Sequence, residues 1–237
     1  MSLLKNLLGV TWALLAGVAL AAAPEQIVFE NVKVWDGNST SLTANTKVLV
    51  EGNIIKAIGA NVPASAAAQI IDGGGKTLMP GLIDSHVHLT HSFALGGIKG
   101  FEAATWEEIG SFATASAREH LMNGFTTVRD MGGMADGIKR NVDRGLIDGP
   151  RIYPAGAYIS QTSGHADTRL RSQPSYHDSG IEYSNLERLN VTRIADGVPA
   201  MLSAVRDNFA NGAVYIKIHA GGGVSSERDP LYTCLLY

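Results

Sequence analysis

The stretch Met79-Pro80-Gly81-Leu82-Ile83-Asp84-Ser85-His86-Val87-His88-Leu89 decides how this chain is read. A Pro-Gly pair punctuates the entry to a short apolar run. The run ends in two histidines separated by a single residue. Side chains alternate faces along a strand, so residues i and i+2 point the same way. His86 and His88 therefore project side by side from a strand end, and one metal ion can be held by two imidazoles so placed.

Upstream, residues 26 to 76 read as short strands with turns between them. Ile27-Val28-Phe29 and Val32-Lys33-Val34-Trp35 come first, and Asp36-Gly37-Asn38 is a turn. Lys47 to Glu51 follows, with Gly52-Asn53 as a hairpin turn into Ile54 to Ile58. Ile70-Ile71-Asp72 closes the set. Strands and turns at this density imply a small β-sandwich or partial barrel, placed at residues 22–76.

Downstream, strand-like and helix-like segments alternate. Thr77 to Leu89 reads as strand one. Trp106 to Asn123 reads as a helix, with Thr105 as N-cap and Glu107 and Glu108 in its first turn, where they suit the helix dipole. Phe125 to Asp130 is strand two, Asp136 to Arg144 a short helix closed by Gly145, and Arg151 to Gly156 strand three. Residues 160 to 196 form a long polar stretch of the kind that builds functional loops. Val198 to Asn211 reads as a helix and Ala213 to His219 as strand four. Such alternation means parallel βα units, in a (β/α)8 barrel or a doubly wound sheet. Gly221-Gly222-Gly223 follows a strand but lacks the spacing of a dinucleotide-binding turn, which argues against the doubly wound alternative.

Composition narrows the function classes. The 237 residues are 45% hydrophobic and 17% charged, a globular balance, and the net charge of −3 does not suggest a nucleic-acid partner. The single cysteine, Cys234, excludes an internal disulfide and a cysteine zinc cluster. Lys5, the uncharged run Leu7 to Ala23 and the small-x-small Ala19-Leu20-Ala21 read as a cleaved signal peptide over residues 1–21. The expected location is therefore outside the cytoplasm, periplasmic or secreted, with no stable membrane span after cleavage.

A second signal lies about 130 residues beyond the first. Period two in strand four puts Val214, Ile216 and Ile218 on one face and Tyr215, Lys217 and His219 on the other. The aliphatic face suits the outer helices, so Lys217 points inward. Burial lowers a lysine's pKa. A neutral amine can take up carbon dioxide as a carbamate, an anionic ligand able to bridge two cations. A lysine paired with an acid at the strand's wet end is the alternative.

The chain resembles the amidohydrolase superfamily. The pieces that carry the resemblance are the early strands, the join Lys76 to Asp84, His86-x-His88, Gly124 to Asp130, Gly149-Pro150-Arg151, and Lys217 before the glycines. Thr162-Ser163-Gly164-His165-Ala166-Asp167 is similar to a segment of a branch with imidazolonepropionase-like proteins and Xaa-Pro or Xaa-basic dipeptidases. The resemblance implies an α/β chain: a partial (β/α)8 TIM barrel of about four βα units over residues 77–237, after the small β-sandwich portion. It implies two divalent metal ions, zinc in many members. His86 and His88 would hold the first, and Lys217 as its carbamate would bridge both. A metal-activated hydroxide would attack the amide of a dipeptide or N-acyl amino acid.

His165, His219 and Tyr215 are candidate substrate-binding residues. Packing within the loop is the alternative for His165. His91, His120 and His177 carry no such argument, and Arg129 with Asp130 is expected to form a structural ion pair. The family's remaining histidines and its general-base aspartate have no counterpart after His219. The expectation is a fragment of a longer parent, inactive alone, with an open sheet edge and an oligomer possible. A cyclic amidase or deaminase, or a non-catalytic exported half-barrel that binds a partner, are the alternative functions.

Overall fold

The computed structural model describes residues 25–91, 96–173, 183–223, 227–228 and 230–231. The expected signal peptide, His177 and Cys234 lie outside the described residues. The chain divides after Pro80 into two compact units.

The first unit is built from β1 (Gln26–Val34), β2 (Thr43–Glu51), β3 (Ile54–Gly59), β4 (Gln69–Asp72) and β5 (Thr77–Leu78). They form one mixed sheet in the order β3-β2-β1-β4, with β5 also paired to β1. Val28, Val32, Val48 and Leu49 are its buried apolar residues. The two strands expected between Ile27 and Trp35 are a single strand, β1. Its register against β2 shifts on either side of Val32, and Asn31 sits at φ 53. That irregularity mimics a strand break in the sequence.

The second unit opens with a parallel sheet in the order β6-β7-β8, made of β6 (Leu82–Val87), β7 (Phe125–Asp130) and β8 (Arg151–Pro154). Parallel neighbours need crossovers. Between β6 and β7 lie α1 (Gly97–Ala103) and α2 (Trp106–Met122), and α3 (Ala135–Asp143) joins β7 to β8. Helix α2 starts where the sequence predicts: the Thr105 side chain accepts the Glu108 N–H, and the Glu108 side chain accepts the Thr105 N–H. Val87 and Leu89 on β6 and just beyond it, Val128 on β7 and Ile152 on β8 pack against Ala113, Ala117 and Ile138 of α2 and α3. That packing turns His86 and His88 to the opposite face of β6.

Strand one, read over Thr77 to Leu89, is divided at Pro80-Gly81, the pair read as the entry to its apolar run. Its first piece, β5, pairs with β1, and its second, β6, pairs with β7. The chain continues through β9 (Tyr158–Ser160), α4 (Asn185–Arg188), β10 (Thr192–Ile194) and α5 (Gly197–Asn211). Strand β9, which ends at the edge of the stretch expected to be a loop, pairs in parallel with β10 inside it.

Strand four does not form as a continuous strand. The segment after α5 touches the sheet through Val214 N–H to Pro154 O at 2.9 Å, and then through an isolated bridge between Ile218 and Ile159. Between those points the potential partner is already engaged. Asn208 of α5 donates from Nδ2 to Ala157 O at 2.8 Å and accepts the Ala157 N–H on Oδ1 at 3.1 Å. The aliphatic face is also less covered than expected. Ile216 packs on α5, while Val214 is 50% and Ile218 45% exposed. Among the described residues no helix is long and apolar enough to cross a membrane.

Candidate functional site

A cavity of about 320 Å³ opens where β6, β9 and the segment after α5 end. Its walls include His86, His88, His91, Tyr158, His165, Lys217 and His219. Lys217 shares the cavity with His88, and its charge, after burial and the charge of His86, helps to lower the His88 pKa.

The two histidines of the sequence pair are held differently. The His86 backbone N–H donates to Asp84 Oδ1 at 2.9 Å, and its side chain is exposed. His88 is partly buried, and its ring centroid lies 5.3 Å from that of His86 in an edge-on arrangement. Burial, with the nearby His86 and Lys217, lowers the His88 pKa, so the ring is neutral at pH 7. Its Nδ1 lies 3.3 Å from the Gly132 carbonyl oxygen, which can only accept. Nδ1 therefore carries the proton, and the Nε2 lone pair is left for another acid. That is how metal-binding histidines are oriented.

His91 is a wall residue that the sequence reading left without a role. One turn past the strand, its N–H donates to His88 O at 3.1 Å. Burial, and secondarily His88, push its pKa down to about 3. The Tyr158 hydroxyl lies 2.5 Å from His91 Nε2 and 3.3 Å from His88 Nδ1. Burial also holds that phenol protonated. The spacing His88-x-x-His91, a turn directly after the histidine pair, was the available signal.

His165 and His219 complete the far wall. Their ring centroids are 4.8 Å apart, and His219 stacks on Tyr158 at 5.1 Å. The loop bearing His165 is tied to the segment bearing Lys217 by His165 N–H to Gly221 O at 3.2 Å. Below it, the buried Arg169 guanidinium donates twice to the buried Asp167 carboxylate, at 2.8 and 2.6 Å.

Two expectations are corrected. Tyr215 does not line the cavity. Its hydroxyl donates to Asp130 O at 2.6 Å and its ring lies under the Arg129 guanidinium at 4.9 Å, so it is fixed two residues short of the pocket. Arg129 and Asp130 do not pair with each other. Neighbours on a strand face opposite ways. Arg129 reaches Met131 Sδ at 3.2 Å, while the fully buried Asp130 carboxylate accepts the backbone N–H groups of Leu89 and Gly132.

Among the described residues, no three His, Cys, Asp or Glu side chains form a ready ligand cluster. Five imidazoles and a lysine amine line the cavity, the His86 and His88 pair and Lys217 among them. Catalytic zinc sites use three protein ligands and keep a position open. His88, with its Nδ1 turned to the Gly132 carbonyl and its Nε2 lone pair left over, and the adjacent His86 are donors of the kind such a cation takes.

The family model described as the amidohydrolase family matches residues 77–231. The chain belongs to this family. A curated ochratoxinase from Aspergillus niger is 31% identical over 170 residues, covering 64% of this chain and 32% of that protein. A dihydroorotase from Pelotomaculum thermopropionicum is 32% identical over 151 residues, covering 58% of this chain and 31% of that protein. Among solved structures, a prolidase complexed with N-methylphosphonate-L-proline superposes with TM-score 0.77 at 33% identity, over 88% of this chain and 50% of that one. A Xaa-Pro dipeptidase with methionine bound in its active site gives 0.68 at 30% identity, over 85% and 48%. The chain thus spans about a third of the curated relatives' length and about half that of the solved chains.

Proposed function

We propose that this amidohydrolase-family chain contributes one side of a metal-dependent site that hydrolyses carbon–nitrogen bonds in small amides, dipeptides or N-acyl amino acids. The observation that carries the reading is that His86 and His88, and Lys217 about 130 residues later, line one cavity. His86 and His88 would hold a first divalent cation, and Lys217, as its carbamate, would reach both that one and a second. Zinc suits imidazole ligands.

When bound, such cations supply a Lewis acid and lower the pKa of a coordinated water. The chain's own residues do the rest of the work visible here. Gly132 fixes the His88 tautomer. Tyr158, held protonated, presents a hydroxyl between His88 and His91. His165 and His219, across the cavity, are placed to meet the substrate. The half-barrel with a sandwich portion, and export to the periplasm or medium, belong to the same reading. Likeness to dihydroorotases favours a second reading, hydrolysis of a cyclic amide.

Metal analysis tests it. The purified chain, dialysed against zinc and washed, retains zinc, and His86→Ala lowers the content. Unchanged content in His86→Ala would favour a non-catalytic binding module. Binding of an N-acyl amino acid, an Xaa-Pro dipeptide and a cyclic amide to the zinc-loaded chain then separates the substrate classes.

A further inference from the structure

We propose that Asp130 is a positioning residue for His88, because its carboxylate joins the two pieces of backbone that hold the His88 ring. Asp130 Oδ2 accepts the N–H of Leu89, the residue after His88, at 2.8 Å. Asp130 Oδ1 accepts the N–H of Gly132 at 3.0 Å. Gly132 in turn offers its carbonyl to His88 Nδ1 at 3.3 Å. One carboxylate therefore sets both where the His88 backbone leaves β6 and where the acceptor that selects its tautomer stands.

The surroundings make this arrangement rigid. The Asp130 backbone carbonyl accepts from Ala155 N–H at 3.0 Å and from the Tyr215 hydroxyl at 2.6 Å. Met131 N–H donates to Val87 O at 2.8 Å. Gly132 adopts φ 134, and a Cβ there would collide with the Tyr158 ring, so this ring lies flush against the turn. Tyr215, unsuited to meet a substrate, gains a structural role as a clamp on the same residue. A carboxyl group, with two oxygens that can accept, suits this turn better than an amide. Both oxygens must accept, and an asparagine would set its NH₂ against one of the two N–H groups.

That role presupposes His88 as a ligand, and the experiment separates the two ideas. In the metal-free full chain with ¹⁵N-labelled histidine, and with His88 assigned from a His88→Gln spectrum, the ring is expected in the Nδ1–H tautomer. The Leu89 and Gly132 amides are expected among the slowest to exchange with solvent. Asp130→Asn is expected to mix the tautomers and to weaken binding of zinc ion about 10- to 100-fold, the usual loss when an outer partner of a ligand is removed. An Nε2–H tautomer or a fast-exchanging Leu89 amide in the unmodified chain overturns the proposal even if the variant does not fold. So does an Asp130→Asn chain with an unmixed tautomer and zinc affinity within twofold. Absence of zinc binding by the unmodified chain overturns the ligand reading instead, and the tautomer measurement still decides the role of Asp130.

Discussion

The Tyr158 hydroxyl and His91 Nε2 approach to 2.5 Å, and the same hydroxyl stands 3.3 Å from His88 Nδ1. The Nδ1–H of His88 can share its proton between Gly132 O and the phenol oxygen, while the phenol donates onward to His91. Tyr158→Phe leaves the His91 nitrogen buried without that donor. An unsatisfied buried polar group costs about 1–3 kcal/mol. The urea midpoint should fall accordingly, and an unchanged midpoint would show that the contact contributes nothing.

Glu187 predicts a pH dependence. Burial pushes its carboxyl up from 4.5 to about 7, against the N–H groups of Ser184 and Ile194, which act to lower it. Between those values the folded chain keeps a proton that the unfolded chain has released, so stability falls as pH rises. Asp130, also raised to about 7 by burial, acts in the same direction. His91, depressed to about 3, acts in the opposite one, since the unfolded chain binds the extra proton. The test is therefore a difference. The stability of the unmodified chain minus that of Glu187→Gln should decline from pH 4.5 to 7 and flatten above it. A difference independent of pH would refute the assignment.

The ion pair under the His165 loop should be intolerant of halving. Asp167 is 0% and Arg169 1% exposed. Asp167→Ala would leave a guanidinium buried without this partner, and breaking such a pair costs about 3–5 kcal/mol. The double variant Asp167→Ala/Arg169→Met should recover part of that loss in the same unfolding assay.

Two glycines should respond with opposite sign. Gly110 lies inside α2, and a Cβ there meets nothing within 4 Å. Gly110→Ala should raise stability by about 0.5–1 kcal/mol. Gly132→Ala should lower it, because φ 134 and the Tyr158 ring both oppose a side chain. Thermal melts of the two variants against the unmodified chain decide both.

The legible parts of this molecule are those where a short-range rule sufficed. Period two placed His86 and His88 on one face, and Thr105 as N-cap with two glutamates in the first turn marked the start of α2. Lys217 and His219 were legible for the same reason, although their segment joins the sheet only at isolated points. Strands β9 and β10 were hidden because each is three residues long and their polar members are satisfied only in the fold. Thr192, for instance, donates to Ala166 O at 2.8 Å. Tyr215 was misplaced because period two gives the face of a side chain but not its depth. The partners of Asp130 were hidden because they lie on Leu89, far off in sequence, and on the Gly132 turn.

Asn208 has a consequence for how the wall bearing Lys217 behaves. Its carboxamide stands in for a peptide group of an adjacent strand, giving Ala157 both the donor and the acceptor that a ladder would supply. Helix α5 is thereby stitched to the strand edge, and the chain leading to Lys217 is spared that duty. The segment bearing Lys217 is tied instead one step further on, where the Lys217 carbonyl accepts the Ile159 N–H at 3.1 Å and the His219 N–H donates to the Ile159 carbonyl at 2.9 Å.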